Sequence, residues 1–310
     1  MLRYAGRRLL SAAVVVLAVT VATFLILHVE PGDPARAVLG EHATAREVQT
    51  LRHEWGLDAS LGSQFTRYLD DIARGNLGRS FLEQTSTTSL IRSRISVTAA
   101  LVGMATLFSI VITVPLAALA AARKERLADH LVRGLSVTGL GLPAFWFGIV
   151  LIELFALHVR LFPVGGWGTS FWSHLEGLIL PGLTASFAIA PILVRSLRVG
   201  MIEVLDADFV ATLRAKGLGE LRVLAHVARN AVLPALNLLG INIAFLIGST
   251  VVIERVFALP GLGSLLLSSI SERDFPVVQA LTLVMAVAVV LINLLTDLLA
   301  ARLDPRIRLG

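Results

Sequence analysis

Six stretches of this chain contain no Asp, Glu, Lys or Arg: Leu9–Val29, Ile95–Ala122, Gly134–Ile152, Gly177–Val194, Ala231–Ile253 and Phe275–Thr296. A helix needs about 20 largely apolar residues to cross about 30 Å of hydrocarbon, because inside lipid every backbone polar group must be satisfied within the segment. Each stretch meets that length, and buried helices of soluble proteins seldom run so far without a charge. The pattern predicts an all-α integral membrane protein with six transmembrane helices. Composition agrees: 55% of residues are apolar and 16% charged, against roughly 25% charged in soluble domains.

The first stretch follows Arg3, Arg7 and Arg8, as a secretory signal would. Signal cores, however, run about 7–15 residues and end at small residues. This one continues through Leu27, His28 and Val29, and reads as a retained anchor. Lys and Arg in short loops stay on the cytoplasmic side. They collect before the first span, in the second loop (Arg123, Lys124, Arg126, Arg133), in the fourth (Arg195, Arg198, Arg214, Lys216, Arg222, Arg229) and after the last span (Arg302, Arg306, Arg308). Both termini are then expected in the cytoplasm. The net charge of +5 is spread over these loops rather than gathered on one face, so it reads as membrane topology and not as a nucleic-acid surface. There is no cysteine, and the seven histidines lack zinc-ligand spacing.

The chain divides into a first span over 1–29, an extracytoplasmic helical loop over 30–94, a five-span core over 95–303 with a cytoplasmic segment at 199–232, and a tail over 304–310. Within the long loop, Thr44 and Glu47 form a capping box that opens a helix through Val48, Leu51 and Trp55, closed by Gly56. A second helix, Leu61 to Ala73, gathers Phe65, Leu69 and Ile72 on one face and stops near Gly75-Asn76-Leu77-Gly78. The expectation is a small helical cap on the outer mouth.

Between the fourth and fifth spans, Ile202, Leu205, Phe209 and Leu213 recur at helical spacing, with Glu203, Asp206, Asp208, Arg214 and Lys216 on the other faces. Gly217 and Gly219 break the run. A second short helix, Glu220 to Ala228, brings Leu221, Leu224 and Ala225 together before Asn230 and Pro234 lead into the membrane. Two readings fit this pattern. It is a helix-turn-helix whose apolar ridge enters another protein's groove, or an amphipathic helix resting in lipid headgroups.

Asp208-Phe209-Val210-Ala211-Thr212-Leu213-Arg214-Ala215-Lys216-Gly217-Leu218, followed by His226-Val227-Ala228-Arg229-Asn230-Ala231-Val232-Leu233-Pro234, resembles the coupling segment of binding-protein-dependent permeases of the dipeptide and oligopeptide class. Further stretches resemble that family in order: Pro31-Gly32-Asp33-Pro34, Gly56-Leu57-Asp58, Asn76-Leu77-Gly78-Arg79-Ser80, Pro143-Ala144-Phe145-Trp146, Phe257-Ala258-Leu259-Pro260-Gly261-Leu262-Gly263, Arg273-Asp274 and Asp304-Pro305-Arg306-Ile307-Arg308. The long outer loop resembles the B-type member of the two permeases that pair. The resemblance implies a surface for an ATPase subunit formed by Phe209, Ala211, Leu213, Ala215, Lys216, Gly217, Leu218, Leu221 and His226. It also implies a homologous second permease, one or two ATPases that carry the ATP and Mg, and an extracytoplasmic substrate-binding protein. No cofactor is expected on this chain. The sequence departs from the family at Phe209, where Tyr is usual, and at Ala211-Thr212-Leu213, where an acid and two alanines are usual.

An ATPase of its own would need a glycine-rich loop ending in Gly-Lys-Ser or Gly-Lys-Thr. The only lysines, Lys124 and Lys216, follow Arg123 and Ala215, so energy must come from another subunit or an ion gradient. A gradient-driven transporter or channel would show inverted repeats and interrupted spans, and no such repeat is present. Nor does the chain carry His-Glu-x-x-His, a serine nucleophile motif or paired carboxylates on facing positions. Polar groups within spans are the candidates for a pathway or gate: Glu153, Asn237, Asn242 and Glu254, with Phe257 in the turn that follows. Snorkelling is the alternative for Glu153, hydrogen bonds within the bundle for the asparagines, and a capped helix end for Glu254. Asn293 and Asp297 share a face of the last span, where Asp297 is placed to pair with an arginine such as Arg302. The cargo is read as di- or oligopeptides, with nickel, glutathione or haem as alternatives within the same family.

Overall fold

The computed structural model describes residues 2–29, 34–40 and 43–303. The motifs Pro31-Gly32-Asp33 and Asp304 to Arg308 lie outside the described residues. In chain order the helices are α1 (Leu2–Val29), α2 (Pro34–Leu39), α3 (Ala45–Glu54), α4 (Leu61–Ala73), α5 (Thr87–Ala122), α6 (Leu127–Gly141), α7 (Ala144–Leu151, continued by a π-helical turn over Ile152–His158), α8 (Phe171–Leu205), α9 (Asp208–Ala215), α10 (Glu220–Val256), α11 (Leu262–Ser271) and α12 (Phe275–Leu303). Helices α1, α5, α8, α10 and α12 are each long and apolar enough to cross a membrane, and α6 with α7 makes a sixth crossing if taken as one span.

That third span is not the single rod expected from Gly134–Ile152. It bends by 104° between α6 and α7. The cause is Pro143, which has no amide hydrogen to donate and forces its predecessor out of helical geometry. Leu142 accordingly adopts extended angles, φ −96° and ψ 132°. Pro115 in α5, Pro181 and Pro191 in α8 and Pro234 in α10 lie inside continuous helices.

Helix α8 is the most buried of the spans and forms the central post. Helix α5 packs along it on one side, α10 on another and the bent α6–α7 pair on a third, while α12 packs on α10 and α1 on α12. The core joins Leu101 and Ala105 of α5, Leu180, Ala185 and Ile189 of α8, and Leu246 and Ile253 of α10. Lipid gives no hydrophobic drive between helices, so close packing of such large and small side chains is what holds them. The outward residues, among them Leu131, Leu135 and Val137 of α6, remain exposed and apolar, as a hydrocarbon solvent requires.

The loop over 30–94 folds as its pattern indicates. Glu47 accepts from the hydroxyl and amide of Thr44, and the Glu47 amide donates to Thr44 Oγ1, completing the capping box at α3. Those bonds, the hydroxyl first, hold the Glu47 carboxyl below its ordinary range. Ser60 caps α4, whose apolar face lies on α1: Phe65 meets the Phe24 ring edge-on at 5.1 Å and Tyr68 stacks on it at 5.9 Å. Trp55 stacks on Phe81 at 4.1 Å. The following turn is tied to the start of α12, since buried Asp274 accepts from the Ser80 hydroxyl and the Phe81 amide. The cap therefore sits on the ends of α1 and α12.

Candidate functional site

Helices α8 and α10, with 35 and 37 residues, are about 52–55 Å long at 1.5 Å per residue, well beyond the ~30 Å of hydrocarbon. Both overshoot at the same end, where the turn between them carries α9. The expected single run from Ile202 to Leu213 is instead two pieces, because α8 stops at Leu205 and the chain restarts at Asp208. The expected short helix Glu220–Ala228 is the opening of α10, which runs on through Pro234 to Val256.

Helix α9 is fastened inward by Val210, 1% exposed, which joins Val223 and Val227 of α10, Leu197 and Met201 of α8, and Ala117 and Ala121 of α5. Leu213 and Leu218 are half-buried against the same cluster. The rest of the expected docking set faces outward. Phe209 is 40% exposed and Leu221 85% exposed, and Ala211, Ala215, Lys216, Gly217 and His226 are exposed with them. Leu224 turns partly inward while Ala225 is exposed, so the trio with Leu221 does not form one face. Gly217 takes φ +77° with open space where a Cβ would stand, so its role is conformational rather than steric. Across the turn Arg214 donates to Glu220 at 2.9 Å, a bond that raises the guanidinium's already high pKa. At this end of the bundle, two large apolar side chains, Phe209 and Leu221, are exposed among charged ones.

A second feature of the same end was not read from the sequence. Asp129, fully buried in the first turn of α6, receives two bonds of 2.6 Å from the Arg198 guanidinium of α8 and one of 2.9 Å from the Glu125 amide. Lys124 reaches Asp206 at 3.5 Å, tying the α5–α6 turn to the residues that precede α9. The available signal was an acid set among Arg123, Lys124, Arg126 and Arg133. Nothing local pointed to Arg198 as its partner.

At the opposite end, Glu254 is fully buried. It accepts from the Thr98 hydroxyl at 2.6 Å and the Ser264 amide at 2.9 Å, while Thr98 Oγ1 accepts from the Leu262 amide at 2.8 Å. The carboxylate thus caps α11, the helix after its own. A Cβ at Gly261 would collide with that carboxyl group, so only glycine lets the turn close over it. Phe257 is also buried, and its carbonyl accepts from the Gly166 amide at 2.8 Å. Two of the five pathway or gate candidates, Glu254 and Phe257, are therefore buried and anchor the turn leading into α11.

Glu153 is exposed in the π-helical turn, with His158 Nδ1 3.3 Å from its carboxylate. Asn242 bonds the Leu238 carbonyl of its own helix, and the side chain of Asn237 lies outside the described residues. Asp297 pairs with Arg8 of α1 at 2.9 Å, and the Arg302 side chain lies outside the described residues. The described residues contain no cluster of three His, Asp or Glu arranged to hold a metal.

Residues 113–309 match the family described as binding-protein-dependent transport system inner membrane component. The chain belongs to that family. Residues 1–102 match the N-terminal region of binding-protein-dependent transport system membrane components, so the match extends over the first span and the outer loop as well as the core. Over 309 residues and 99% of both chains, the sequence is 37% identical to the glutathione transport system permease protein GsiC of Salmonella paratyphi A. It is 36% identical over the same length to GsiC of Escherichia coli K12. The permease is thus a multi-pass inner-membrane subunit of an ABC importer of the peptide type, and a transport protein rather than an enzyme.

Proposed function

We propose that this permease pairs with a homologous one to enclose a route for small peptides, which an extracytoplasmic binding protein delivers and ATPase subunits drive across by pushing on α9. The observation that carries this reading is the exposure of Phe209 and Leu221 on a short helix and turn held to the bundle mainly through Val210. Apolar knobs of that kind cost free energy in water until a groove receives them. Both termini and α9 are then cytoplasmic, on the side where the loop arginines gather, and ATP and Mg belong to the partner subunits. The relatives are named for glutathione, one of the alternative cargoes and itself a tripeptide, which supports a route of small-peptide size.

Alternating access follows if nucleotide changes how strongly the ATPases grip α9 in two packings of the spans. Gly217→Val tests this, because a β-branched residue resists φ +77°. In proteoliposomes containing the whole transporter, ATP hydrolysis is expected to persist while uptake falls at least about ten-fold, a loss of about 1.4 kcal/mol of coupling. Uptake at the native rate refutes the role of the turn. Lys216→Cys in this cysteine-free chain is expected to react only with a reagent supplied from the cytoplasmic side.

A further inference from the structure

Helix α6 is held to the bundle at few points. Leu127, Leu131, Leu135 and Val137 all face outward. Val132 packs with Ala120 and Val194, and Gly139 lies against Pro191 of α8. The polar link is the pair of 2.6 Å bonds from Arg198 to Asp129. At its far end α6 meets the break at Leu142 and Pro143, beyond which α7 leaves at 104°. A cavity of about 220 Å³ occupies the inside of that bend, lined among others by Leu116, Val132, Phe147, Phe187 and Pro191. Helix α6 therefore has a hinge at one end, a strut at the other, and space into which it can swing.

The strut begins next to the cluster that holds α9. Leu197 and Met201, which pack with Val210, flank Arg198 on α8. Helix α9 packs chiefly on α10, and the apolar cluster that seats Val210 extends to Leu197 and Met201 of α8, so a displacement of α9 has a route through that cluster to α8, through the Arg198 guanidinium to Asp129, and so to α6. A planar, two-pronged contact resists both sliding and rotation, which a single point contact does not. Lys124 and Asp206 add a second tie between the same turn and the entry to α9, but it is exposed and therefore weak.

We propose that the Asp129–Arg198 pair transmits movement of α9 to α6, changing the α6–α7 bend, so that both are positioning residues for transport. The proposal rests on the reading of α9 as the ATPase dock. The test uses the assembled transporter in lipid vesicles, with spin labels at Leu131→Cys on α6 and Ile149→Cys on α7, both exposed. Binding of a non-hydrolysable ATP analogue is expected to shift the distance between the labels. In Arg198→Lys, which keeps the charge and loses the fork, that shift should shrink at least two-fold and uptake per ATP hydrolysed should fall at least five-fold, with hydrolysis itself within two-fold of native. An unchanged distance in the native-paired protein overturns the proposal even if the variant fails to assemble, and so does an unchanged ratio of uptake to hydrolysis in the variant. If the unaltered complex contains no ATPase or takes up nothing on ATP addition, the functional reading itself fails and this proposal with it. Nucleotide-driven uptake with a static bend sinks the strut alone.

Discussion

Shortening Val210 to alanine should release α9 from the bundle without disturbing the spans. Val210 is 1% exposed, so Val210→Ala forfeits two methyl groups' worth of burial at about 0.8 kcal/mol each. A partly relaxed cavity adds a few tenths, for a total of about 2 kcal/mol. Two half-buried leucines, Leu213 and Leu218, remain, and the exposed Arg214–Glu220 pair contributes little because water screens it. Local opening of 208–216 should therefore become about 30-fold more frequent. Amide hydrogen exchange of the permease in nanodiscs, without ATPase subunits, reads this directly: residues 208–216 should speed up by that factor while α8 upstream of Leu197 stays unchanged. Leu221→Ala is the internal contrast. At 85% exposure that side chain has little burial to lose, so exchange should move less than two-fold while affinity for the ATPase falls. Exchange at 208–216 within three-fold of native in Val210→Ala would refute the argument that a single buried valine holds the helix.

Two further outcomes follow from buried and capping groups. Arg198→Ala leaves the fully buried Asp129 carboxylate with only the Glu125 amide and Arg133 at 4.0 Å and should cost about 3 kcal/mol, whereas Asp129→Leu combined with Arg198→Leu should recover most of the loss; thermal unfolding in detergent separates the two. The Glu47 carboxyl, held below its ordinary value of 4.5 by Thr44, stabilises the start of α3 above that value and ceases to do so as pH falls through its folded-state value. Exchange of the 45–50 amides, corrected for the intrinsic rate, should rise on acidification, and Thr44→Ala, which removes the hydroxyl bond and leaves the amide one, should reduce that pH dependence.

Periodicity and capping are properties of neighbouring residues, which is why the sequence alone determined the apolar spans and the helices at 45–54 and 61–73, while the inward face of α9, set by Val210 rather than Phe209, came only from the packing. A proline in an apolar run was equally visible at Pro143, yet the break there contrasts with unbroken helix through Pro115, Pro191 and Pro234. Residue type alone does not say which of these prolines breaks its helix. Only the tertiary structure decided which charges meet. Asp129 finds Arg198 across 69 residues, Glu254 finds Thr98 across 156 and Asp274 finds Ser80 across 194. Such pairs leave no periodic trace in the chain, and the low dielectric of a membrane protein's interior makes each of them matter more than its sequence position suggests.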